Sequence, residues 1–408
     1  MYLSVDRLLK VADRNLTSTT RLRRWFSLEI GDPIWYLAFM TFDVAIIGAG
    51  IVGAACAASL SSAGLSVVVI EENEVATGTT AAGMGHIVVM DDSDAQFALT
   101  NYSQKLWNDL APKLPKNSEY EHCGTIWVAA DDEEMDEVRR KKDFYENHGV
   151  EAEILDETSL RNAEPNLREG LAGGLLVKQD SVVYQLCATG FLIEKAKQNG
   201  ALVQIGKRVI EISDAGVKLE NGDAICAGKV INAAGAFASK LSPSLKILKR
   251  KGHLVITDRY PDFVSHQLIE LGYLKSAHGK DEDSVAFNVQ PRRTGQILLG
   301  SSRQFGSEDT EIDHKILKRM TARAFEYMPK LRDLSAVRVW TGFRPATPDN
   351  LPYIGLVPGH RSVYAAAGHE GLGITTSLGT AELIADHILG RQSLIDASPY
   401  SPSRLEAI

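Results

Sequence analysis

Cysteine is scarce in this sequence, and its few copies are widely separated. The 408 residues include four cysteines, Cys56, Cys123, Cys187 and Cys226, and no Cys-x-x-Cys pair. Structural zinc sites, iron–sulfur clusters and the disulfide frameworks of small secreted domains all need clustered or regularly spaced cysteines. The sequence therefore predicts no metal site and no disulfides, and four isolated thiols fit a reducing cytoplasm.

Long apolar segments and an excess of positive charge are also missing. No apolar run reaches the roughly 18 residues that a membrane-spanning helix needs. The formal net charge is −8, from 44 Lys and Arg against 52 Asp and Glu, whereas nucleic-acid binding relies on a surplus of basic groups. We therefore expect neither a membrane-spanning protein nor a nucleic-acid partner. The chain shows no internal repeats, and it is long enough to need two domains.

Residues 1–40 lack the features of a targeting peptide. They carry arginines near Arg21, Arg23 and Arg24, but Asp6 and Glu29 are among several acids that transit peptides avoid. We interpret this stretch as a loosely attached N-terminal extension, or as the product of a misassigned start codon upstream of a true start at Met40. No chemistry is assigned to it.

The most informative segment is residues 43–71. Residues 44–47 form a β-branched, wholly apolar run, as expected for a parallel strand that is buried on both faces. The following glycines are spaced as in dinucleotide-binding proteins. Gly48 allows a tight turn, Gly50 allows backbone N–H groups to approach a pyrophosphate, and Gly53 allows the next helix to pack closely on the sheet.

The residues after the glycines complete the pattern of a dinucleotide site. A small-residue helix over 51–63 would point its positive N-terminal end at the phosphates. A second buried strand over 66–70 ends in Glu71, whose carboxylate can accept both ribose hydroxyls of an adenosine. The segment does not distinguish a nicotinamide from a flavin cofactor, because both carry the same adenosine diphosphate half.

The rest of the chain predicts a mixed α/β (α+β) fold. We expect a discontinuous Rossmann-like nucleotide-binding domain from residues 41–85, 175–245 and 341–392. An inserted substrate domain, built on a half-exposed antiparallel sheet, would comprise residues 86–174 and 246–340. Residues 393–408 would form a C-terminal tail. The acidic run 131–134 is interpreted as the first turn of a solvated helix.

Four landmarks in chain order resemble those of the FAD-dependent D-amino-acid oxidase family, which includes glycine oxidase, sarcosine oxidase and D-amino-acid dehydrogenases. The landmarks are the glycine motif with Glu71, the small-residue loop 78–85, the segment 230–235, and residues 341–352 followed by 368–374. The resemblance implies non-covalent FAD and an amino-acid substrate. It opposes a nicotinamide dehydrogenase, which would not need the late glycine element.

Within that family, the chain looks most similar to D-hydroxyproline dehydrogenase-like flavoproteins of hydroxyproline catabolism. The residues behind this narrower likeness are 181–184, 251–257, 288–293 and 368–375. Where glycine-oxidase relatives commonly carry Asp-Pro after a mid-chain strand, this sequence has Tyr184-Gln185, which argues against glycine as the substrate. D-Hydroxyproline or D-proline is expected. Glycine, sarcosine or other D-amino acids remain as alternatives, and so does a role as the flavin subunit of a multi-chain amine dehydrogenase.

The resemblance also implies which residues contact the cofactor. These are Gly48, Gly50, Ile51, Val52, Gly53, Glu71, Glu72, Thr79, Thr80, Ala81, Gly83, Met84, Val209, Ala234, Gly235, Arg344, Gly371, Leu372, Gly373, Ile374 and Thr375. Backbone donors around Gly373 and Ile374, next to a helix N-terminus, would stabilise negative charge on the reduced flavin. His86 lies in the region where some relatives attach flavin covalently, and His369 would either reinforce the same charge or cap its loop.

Arg344 is the predicted substrate residue, because a planar guanidinium can hold a carboxylate through two parallel bonds. The alternative is a surface arginine paired with Asp349. Tyr273 and His253 are weaker candidates for bounding the pocket. The electron acceptor would be a quinone, another carrier or oxygen, and a quinone would place the enzyme at a membrane surface or beside a partner subunit.

Overall fold

A computed structural model describes residues 41–272 and 283–405. Its strands, numbered β1 to β18, are Thr41–Ile47, Val67–Glu71, His86–Ile87, Thr125–Ala129, Glu153–Asp156, Gly173–Val177, Ser181–Val182, Leu202–Ile205, Val209–Ser213, Gly216–Leu219, Ala224–Asn232, Leu248–Thr257, Gln267–Glu270, Ser284–Pro291, Ile297–Arg303, Ala336–Ala346, Tyr353–Leu356 and Val363–Ala367. The described α-helices, α1 to α8, are Ile51–Ser62, Asp94–Leu110, Asp132–Asn147, Glu157–Ala163, Gln185–Gln198, Ala238–Leu241, His314–Tyr327 and Ser377–Leu389.

The first sheet has the parallel core that residues 43–71 predict. Its main path is β17-β18-β11-β1-β2-β8, and β10 and β9 extend from β11 as antiparallel strands. β1 lies between β2 and β11 and is parallel to both. Alternate residues of β1 enter different apolar clusters, with Val44 and Ile46 in one and Ala45 and Ile47 in the other. The strand is therefore buried on both faces, which confirms the prediction.

The second sheet has the order β16-β12-β15-β14-β13-β4-β6-β5 and is antiparallel except between β13 and β4. The prediction that this sheet is half-exposed is wrong for its centre, because every residue of β15 is buried. Phe287 and Leu299 pack against Met320 and Ala324 of α7 on one face. The opposite face carries Leu254 and Leu298, which pack on Met84 from the loop after β2.

The two sheets draw on the chain in the interleaved way that the sequence suggests, with two local differences. β6, Gly173–Val177, and β16, Ala336–Ala346, both belong to the second sheet, although parts of them lie inside the segments predicted for nucleotide binding. Long β16 pairs along its length with β12. It therefore brings residues 341–346 into the second sheet, where they face the nucleotide-binding segments.

Several helix starts follow from the sequence. α3 begins directly after Asp131, whose carboxylate accepts a hydrogen bond from the Glu134 backbone N–H, so the acidic run forms a capped first turn as predicted. Ser93, Asp156 and Asp313 cap α2, α4 and α7 in the same way. The four cysteines are free thiols. Among the described helices, none combines the length and the apolar character that crossing a bilayer would require.

Candidate active site

A cleft of about 620 Å³ opens where the parallel strands of the first sheet end. One side is formed by the residues that follow β1, β2 and β11, and the other by residues of β12 and β16 in the second sheet. In open α/β sheets, ligands bind beyond the carboxyl ends of the strands. The cleft is therefore the expected dinucleotide site, extended so that one end lies against the second sheet.

The glycines at the start of this cleft are required by close backbone contacts. Gly48 has a φ of +102°, and a Cβ there would lie 2.6 Å from the Ala233 carbonyl oxygen. A Cβ at Gly53 would lie 2.0 Å from the Gly48 carbonyl oxygen. Gly48 and Gly50 line the cleft, whereas Gly53 lies behind them. The spacing thus brings α1 against β1 with its N-terminus open to a ligand.

Glu71 is held at the edge of the cleft by two backbone donors. Its Oε2 accepts a hydrogen bond from the Ala49 N–H at 2.7 Å, and its Oε1 accepts one from the Asn73 N–H at 2.9 Å. Each carboxylate oxygen has a second lone pair that can accept another hydrogen bond. The carboxylate is thus oriented by the chain itself and can still accept the hydroxyls of a ribose.

The loop between β2 and β3 closes the cleft across the two sheets. The Thr80 hydroxyl accepts a hydrogen bond from the Ile51 N–H at 3.0 Å, at the N-terminus of α1. The neighbouring Thr79 hydroxyl donates to the Phe343 carbonyl of β16 at 2.9 Å. The loop is consequently tied to both sides of the site.

Two glutamine side chains hold the later part of the same loop. Gln185 donates from Nε2 to the Gly83 carbonyl at 2.7 Å, and Gln290 donates to the Met84 carbonyl at 2.8 Å. Gln185 is the second residue of the Tyr-Gln pair noted in the sequence. The pair therefore has a direct role in positioning the loop that lines the cleft.

Most of the residues predicted to contact a cofactor line this cleft. They are Gly48, Gly50, Ile51, Val52, Glu71, Glu72, Thr79, Thr80, Gly83, Met84, Val209, Ala234, Gly235, Arg344, Gly371, Gly373 and Ile374. Four others do not line it. Gly53 lies behind the turn, Ala81 faces a neighbouring cavity, Leu372 packs in an apolar cluster, and the Thr375 hydroxyl donates to the His86 carbonyl.

Arg344 extends from β16 into the end of the cleft beside the second sheet. Its Nη1 donates to the Ser302 carbonyl at 2.7 Å, and Nη2 lies 3.4 Å from the Ser301 hydroxyl. The guanidinium passes over Gly252 of β12, where a Cβ would lie 2.5 Å from Nη1. Asp349, the alternative partner considered from the sequence, is instead paired with Arg404. Arg344 is therefore oriented toward the cleft by the sheet.

A buried carboxylate lies among three arginines at this end of the cleft. Oε1 of Glu370 is 3.5 Å from both Arg250 Nη1 and Arg303 Nε. Burial would raise the pKa of Glu370, but the charges of Arg303, Arg344 and Arg250 outweigh it and hold the pKa below its usual value. Glu370 is thus ionised at neutral pH, and the group as a whole remains positive and favours an anion.

Three further polar side chains lie in the cleft or in the cavity beside it, and the sequence assigned none of them to a substrate. By distance and angle, His86 Nε2, Asn288 Oδ1 and Gln290 Oε1 are buried without a hydrogen-bond partner among the described residues, although the side chains of His86 and Gln290 lie close enough to interact, and Gln290 raises the pKa of His86 against the larger effect of burial. His86 and Asn288 line the cleft, and Gln290 lines the adjoining cavity. The sequence did carry a signal for two of them. Asn288 and Gln290 are polar residues at alternate positions of the mostly apolar strand β14, and alternate positions share a face, so both side chains could have been predicted to face a ligand.

The histidines of the site are neutral. Burial, and secondarily the charge of Arg344, lowers the pKa of His86 to about 4. Burial lowers the pKa of His369 to about 3, and its Nε2 is hydrogen-bonded to the Thr380 hydroxyl of α8. Of the two open possibilities for His369, this contact fits a structural role that ties its loop to the helix.

His253 has a different position from the predicted one, and Tyr273 lies outside the described residues. His253 is completely buried, with Nδ1 3.1 Å from the Ser302 hydroxyl and Nε2 accepting from the Asp313 N–H at 3.0 Å. Both ring nitrogens are thus engaged, one by β15 of the second sheet and the other by the residue that caps α7. The neighbouring Gly252 and Leu254 line the cleft instead, because successive strand residues point to opposite faces.

The chain also offers positive potential at another part of the cleft wall. Gly373 and Ile374 line the cleft shortly before α8, whose N-terminal end carries a partial positive charge. Trp107 donates to the carbonyls of Ile374 and Thr375, which holds this turn in place. Within residues 41–272 and 283–405, no group of three or more His, Cys, Asp or Glu is placed to hold a metal ion.

Comparisons with known proteins agree with this geometry. The sequence matches the DAO family, described as FAD dependent oxidoreductase, over residues 43–387. A glycine oxidase of Pseudomonas aeruginosa is 27% identical over 89% of this chain and 99% of its own length. The hydrogen cyanide synthase subunit HcnC of the same species is 26% identical over 90% of this chain and 97% of its own.

A solved structure of a glycine oxidase has the same fold as this chain. The crystal structure of glycine oxidase from Geobacillus kaustophilus superposes with a TM-score of 0.80 at 26% sequence identity. The superposition covers 89% of this chain and 99% of that one. The similarity therefore includes both sheets and the cleft between them.

Proposed function

Because the chain belongs to the DAO family of FAD-dependent oxidoreductases, we propose that it oxidises the Cα–N bond of a cyclic secondary D-amino acid. The proposed substrate is cis-4-hydroxy-D-proline or D-proline, and the enzyme would act as a D-hydroxyproline dehydrogenase. Oxidation of glycine, sarcosine or another D-amino acid is the second candidate, favoured by the glycine oxidases among its relatives.

The position of Arg344 carries this proposal. Its guanidinium reaches the cleft from a strand, with two of its donors already oriented by Ser301 and Ser302. The remaining N–H groups can bind a substrate carboxylate, and the net positive charge around Glu370 strengthens that attraction. A carboxylate bound here would direct the substrate Cα toward the part of the cleft between the sheets.

The hydrogen-bonding atoms around Arg344 support a substrate with more polar groups than glycine. By distance and angle, Asn288 Oδ1 and His86 Nε2 have no hydrogen-bond partner among the described residues. A substrate with an amine N–H and a ring hydroxyl can hydrogen-bond to both, whereas a substrate without the hydroxyl, such as glycine or D-proline, leaves Asn288 Oδ1 unpaired. Sites that hydrogen-bond a substrate group discriminate strongly against analogues that lack it.

In this proposal the protein binds and orients the substrate and stabilises the charge that develops, while bound FAD supplies the hydride acceptor. Arg344 would hold the carboxylate, and neutral His86 can hydrogen-bond to the uncharged amine without adding repulsion. The backbone near Gly373 and the N-terminus of α8 would stabilise negative charge on the reduced cofactor. The loop tied by Gln185 and Gln290 would restrict access of water from the side of the second sheet.

The acceptor and any partner subunit belong to the same proposal. As a dehydrogenase, the enzyme would pass its electrons to a quinone or another carrier faster than to oxygen. The relative HcnC is named as a subunit of hydrogen cyanide synthase. We therefore include assembly with a partner chain in the proposal, and co-purification would reveal it. Any iron–sulfur centre in such a complex would have to lie on another chain, because the four cysteines here are dispersed.

A substrate comparison under anaerobic conditions tests the proposal. Cis-4-hydroxy-D-proline and D-proline should bleach the oxidised-flavin absorbance at least about tenfold faster than glycine, sarcosine or D-alanine, because their ring orients Cα–H and carboxylate together. The Asn288→Leu variant should lose about tenfold or more with the hydroxylated substrate. D-Proline serves as the control, since it lacks the hydroxyl. A tenfold advantage for sarcosine or a primary D-amino acid would overturn the substrate assignment.

FAD retention should depend on Glu71. The Glu71→Ala variant removes the ribose acceptor and frees the Ala49 and Asn73 N–H groups, at a cost of about 1.5–3 kcal/mol for each charge-assisted bond. We expect the purified variant to contain much less than one FAD per chain, measured by absorbance after acid release. Glu74→Ala, at an exposed position in the same loop, is the matched control. Unchanged FAD content in Glu71→Ala would assign the ribose contact to another residue.

A further inference from the structure

A second cavity lies beside the cleft, and the function proposed above assigns no ligand to it. It encloses about 580 Å³ and shares Ala82, Gly83, Met84, Gly342 and Phe343 with the cleft. Its long wall follows β16 from Val337 to Phe343. We call it the outer chamber. Because the two spaces have common walls, a molecule in the outer chamber would approach the cofactor from the side of the second sheet.

The inner part of the outer chamber is apolar. Met84 and Leu298 belong to a small cluster with Ile256 and Trp340, and all four line the chamber. The cluster is separate from the larger cores of the two sheets. Such a surface suits a planar, weakly polar ring, because aromatic and aliphatic side chains gain contact area without requiring charge on the ligand.

Two polar atoms in this apolar wall have no hydrogen-bond partner by distance and angle among the described residues. Trp340 Nε1 is a buried donor without an acceptor, and Gln290 Oε1 is a buried acceptor whose only neighbour of this kind in the described part of the chain is the His86 ring, so that it keeps a lone pair for a ligand. Gln290 is oriented by its own Nε2, which donates to the Met84 carbonyl at 2.8 Å. The chamber thus offers one hydrogen-bond donor and one acceptor. The donor matches a carbonyl oxygen of a ligand, and the acceptor matches the hydroxyl that this carbonyl becomes when the ligand is reduced.

The mouth of the chamber combines aromatic, basic and exposed apolar groups. The Arg292 guanidinium lies 4.1 Å from the centre of the Tyr184 ring and is held by Glu119 through contacts of 2.6 and 3.0 Å. Phe237 and Val337 line the chamber with 45% and 62% of their surface exposed. An apolar tail could leave the chamber over these two residues.

We propose that the outer chamber binds the quinone that reoxidises the flavin. The substrate carboxylate is assigned to Arg344 in the cleft, so a proline-sized substrate does not need this space. Phosphate-bearing acceptors are disfavoured, because the inner wall is apolar and the Arg292 guanidinium at the mouth is already paired with Glu119. This inference rests on the dehydrogenase function proposed above, and it names the class of acceptor and the place where it binds.

The reaction balances with the groups named. A quinone bound in the chamber would take two electrons and one proton from reduced FAD and a second proton from solvent, and it would leave as a quinol. The Trp340 N–H would donate to a quinone carbonyl oxygen, and Gln290 Oε1 would accept from a quinol hydroxyl. The same pair of side chains thus serves both redox states of the acceptor.

The experiment separates acceptor binding from substrate oxidation. The holoenzyme is reduced with light and a deazaflavin, without any amino acid, and is mixed anaerobically with ubiquinone-1. In Trp340→Phe the second-order rate of reoxidation should fall at least about tenfold, since a buried hydrogen bond is lost. Reoxidation by oxygen, and flavin reduction by the amino acid, should stay within about twofold. Because the reduction step uses light, the result does not depend on the substrate assignment.

A surface variant provides a second, fold-independent test. Val337→Glu places a charge at the mouth and should slow reoxidation by decylubiquinone, whose tail passes over this residue, more than reoxidation by ubiquinone-1. Leu248→Glu is the matched control, because Leu248 is 65% exposed on the paired strand and lines neither cavity. Equal effects of the two variants on both quinones would count against the proposed exit path and overturn that part of the proposal.

Direct binding gives a readout besides turnover. Titrating the oxidised holoenzyme with ubiquinone-1 should quench tryptophan fluorescence with saturation, and Trp340→Phe should remove most of that change. Two results would overturn the proposal. If Trp340→Phe slows reduction by the amino acid but not reoxidation by quinone, the chamber holds part of the substrate. If the variant loses FAD or shifts the flavin spectrum, the chamber belongs to the cofactor.

Discussion

Replacing Arg344 with alanine is expected to lower kcat/KM at least about a hundredfold, because about 3 kcal/mol of bidentate carboxylate binding is lost. FAD content should remain near one per chain, since the side chain bonds to Ser301 and Ser302 and not to the glycine turn. Steady-state kinetics with the best substrate of the panel, together with the flavin spectrum, provide the measurement.

Two further variants sharpen this result. Arg344→Lys should recover only part of the activity, because a point charge does not reproduce the planar fork of the guanidinium. Arg361→Ala is the matched control, since the Arg361 side chain is 94% exposed and lies in neither cavity. Near-normal kcat/KM in Arg344→Ala would return this residue to a structural role and remove the main support for the proposed substrate orientation.

Replacing Gly53 with alanine should prevent FAD binding in the purified protein. The added Cβ would lie 2.0 Å from the Gly48 carbonyl oxygen and 3.5 Å from Ala233 Cβ, so α1 must move away from β1. Overpacking of this kind costs about 1–3 kcal/mol or more. The displacement also moves the helix N-terminus away from the pyrophosphate. FAD content and thermal unfolding measure both effects.

The control for this variant is a glycine in another helix of the same protein. A Cβ at Gly190 in α5 would meet no atom within 4 Å outside the adjacent backbone of its own helix, so alanine fits there without strain. Gly190→Ala should retain FAD and gain roughly 0.5–1 kcal/mol in unfolding free energy. If Gly53→Ala behaves like Gly190→Ala, the close approach of α1 to β1 is not required for binding FAD.

The nucleotide-binding part of this protein could be predicted well because its signals are local. Gly48, Gly50 and Gly53 act on backbone atoms within a few residues or in the adjacent strand, and Glu71 ends the very next strand. Short-range spacing therefore carries most of the information. The likeness to a known family then supplied the cofactor, which the residues alone left open between two dinucleotides.

The end of the cleft around Arg344 was predicted less completely because its residues come from distant segments. His86, Asn288 and Glu370 meet near Arg344 only after β3, β14 and the turn before α8 have been brought together. None of these positions forms a motif with the others in sequence. Asp349 shows the same limit, since its partner Arg404 lies 55 residues further along the chain.

By itself, the sequence determined the parallel strand β1 and the glycine turn, because these follow from apolar runs and backbone freedom. From side-chain chemistry it also predicted a substrate role for Arg344. Only the tertiary structure decided which face of β12 meets the cleft. Both faces of β12 carry buried residues, so the apolar pattern of the sequence does not distinguish one face from the other. The pairing of β12 with β16 places Gly252 and Leu254 toward the cleft and His253 away from it.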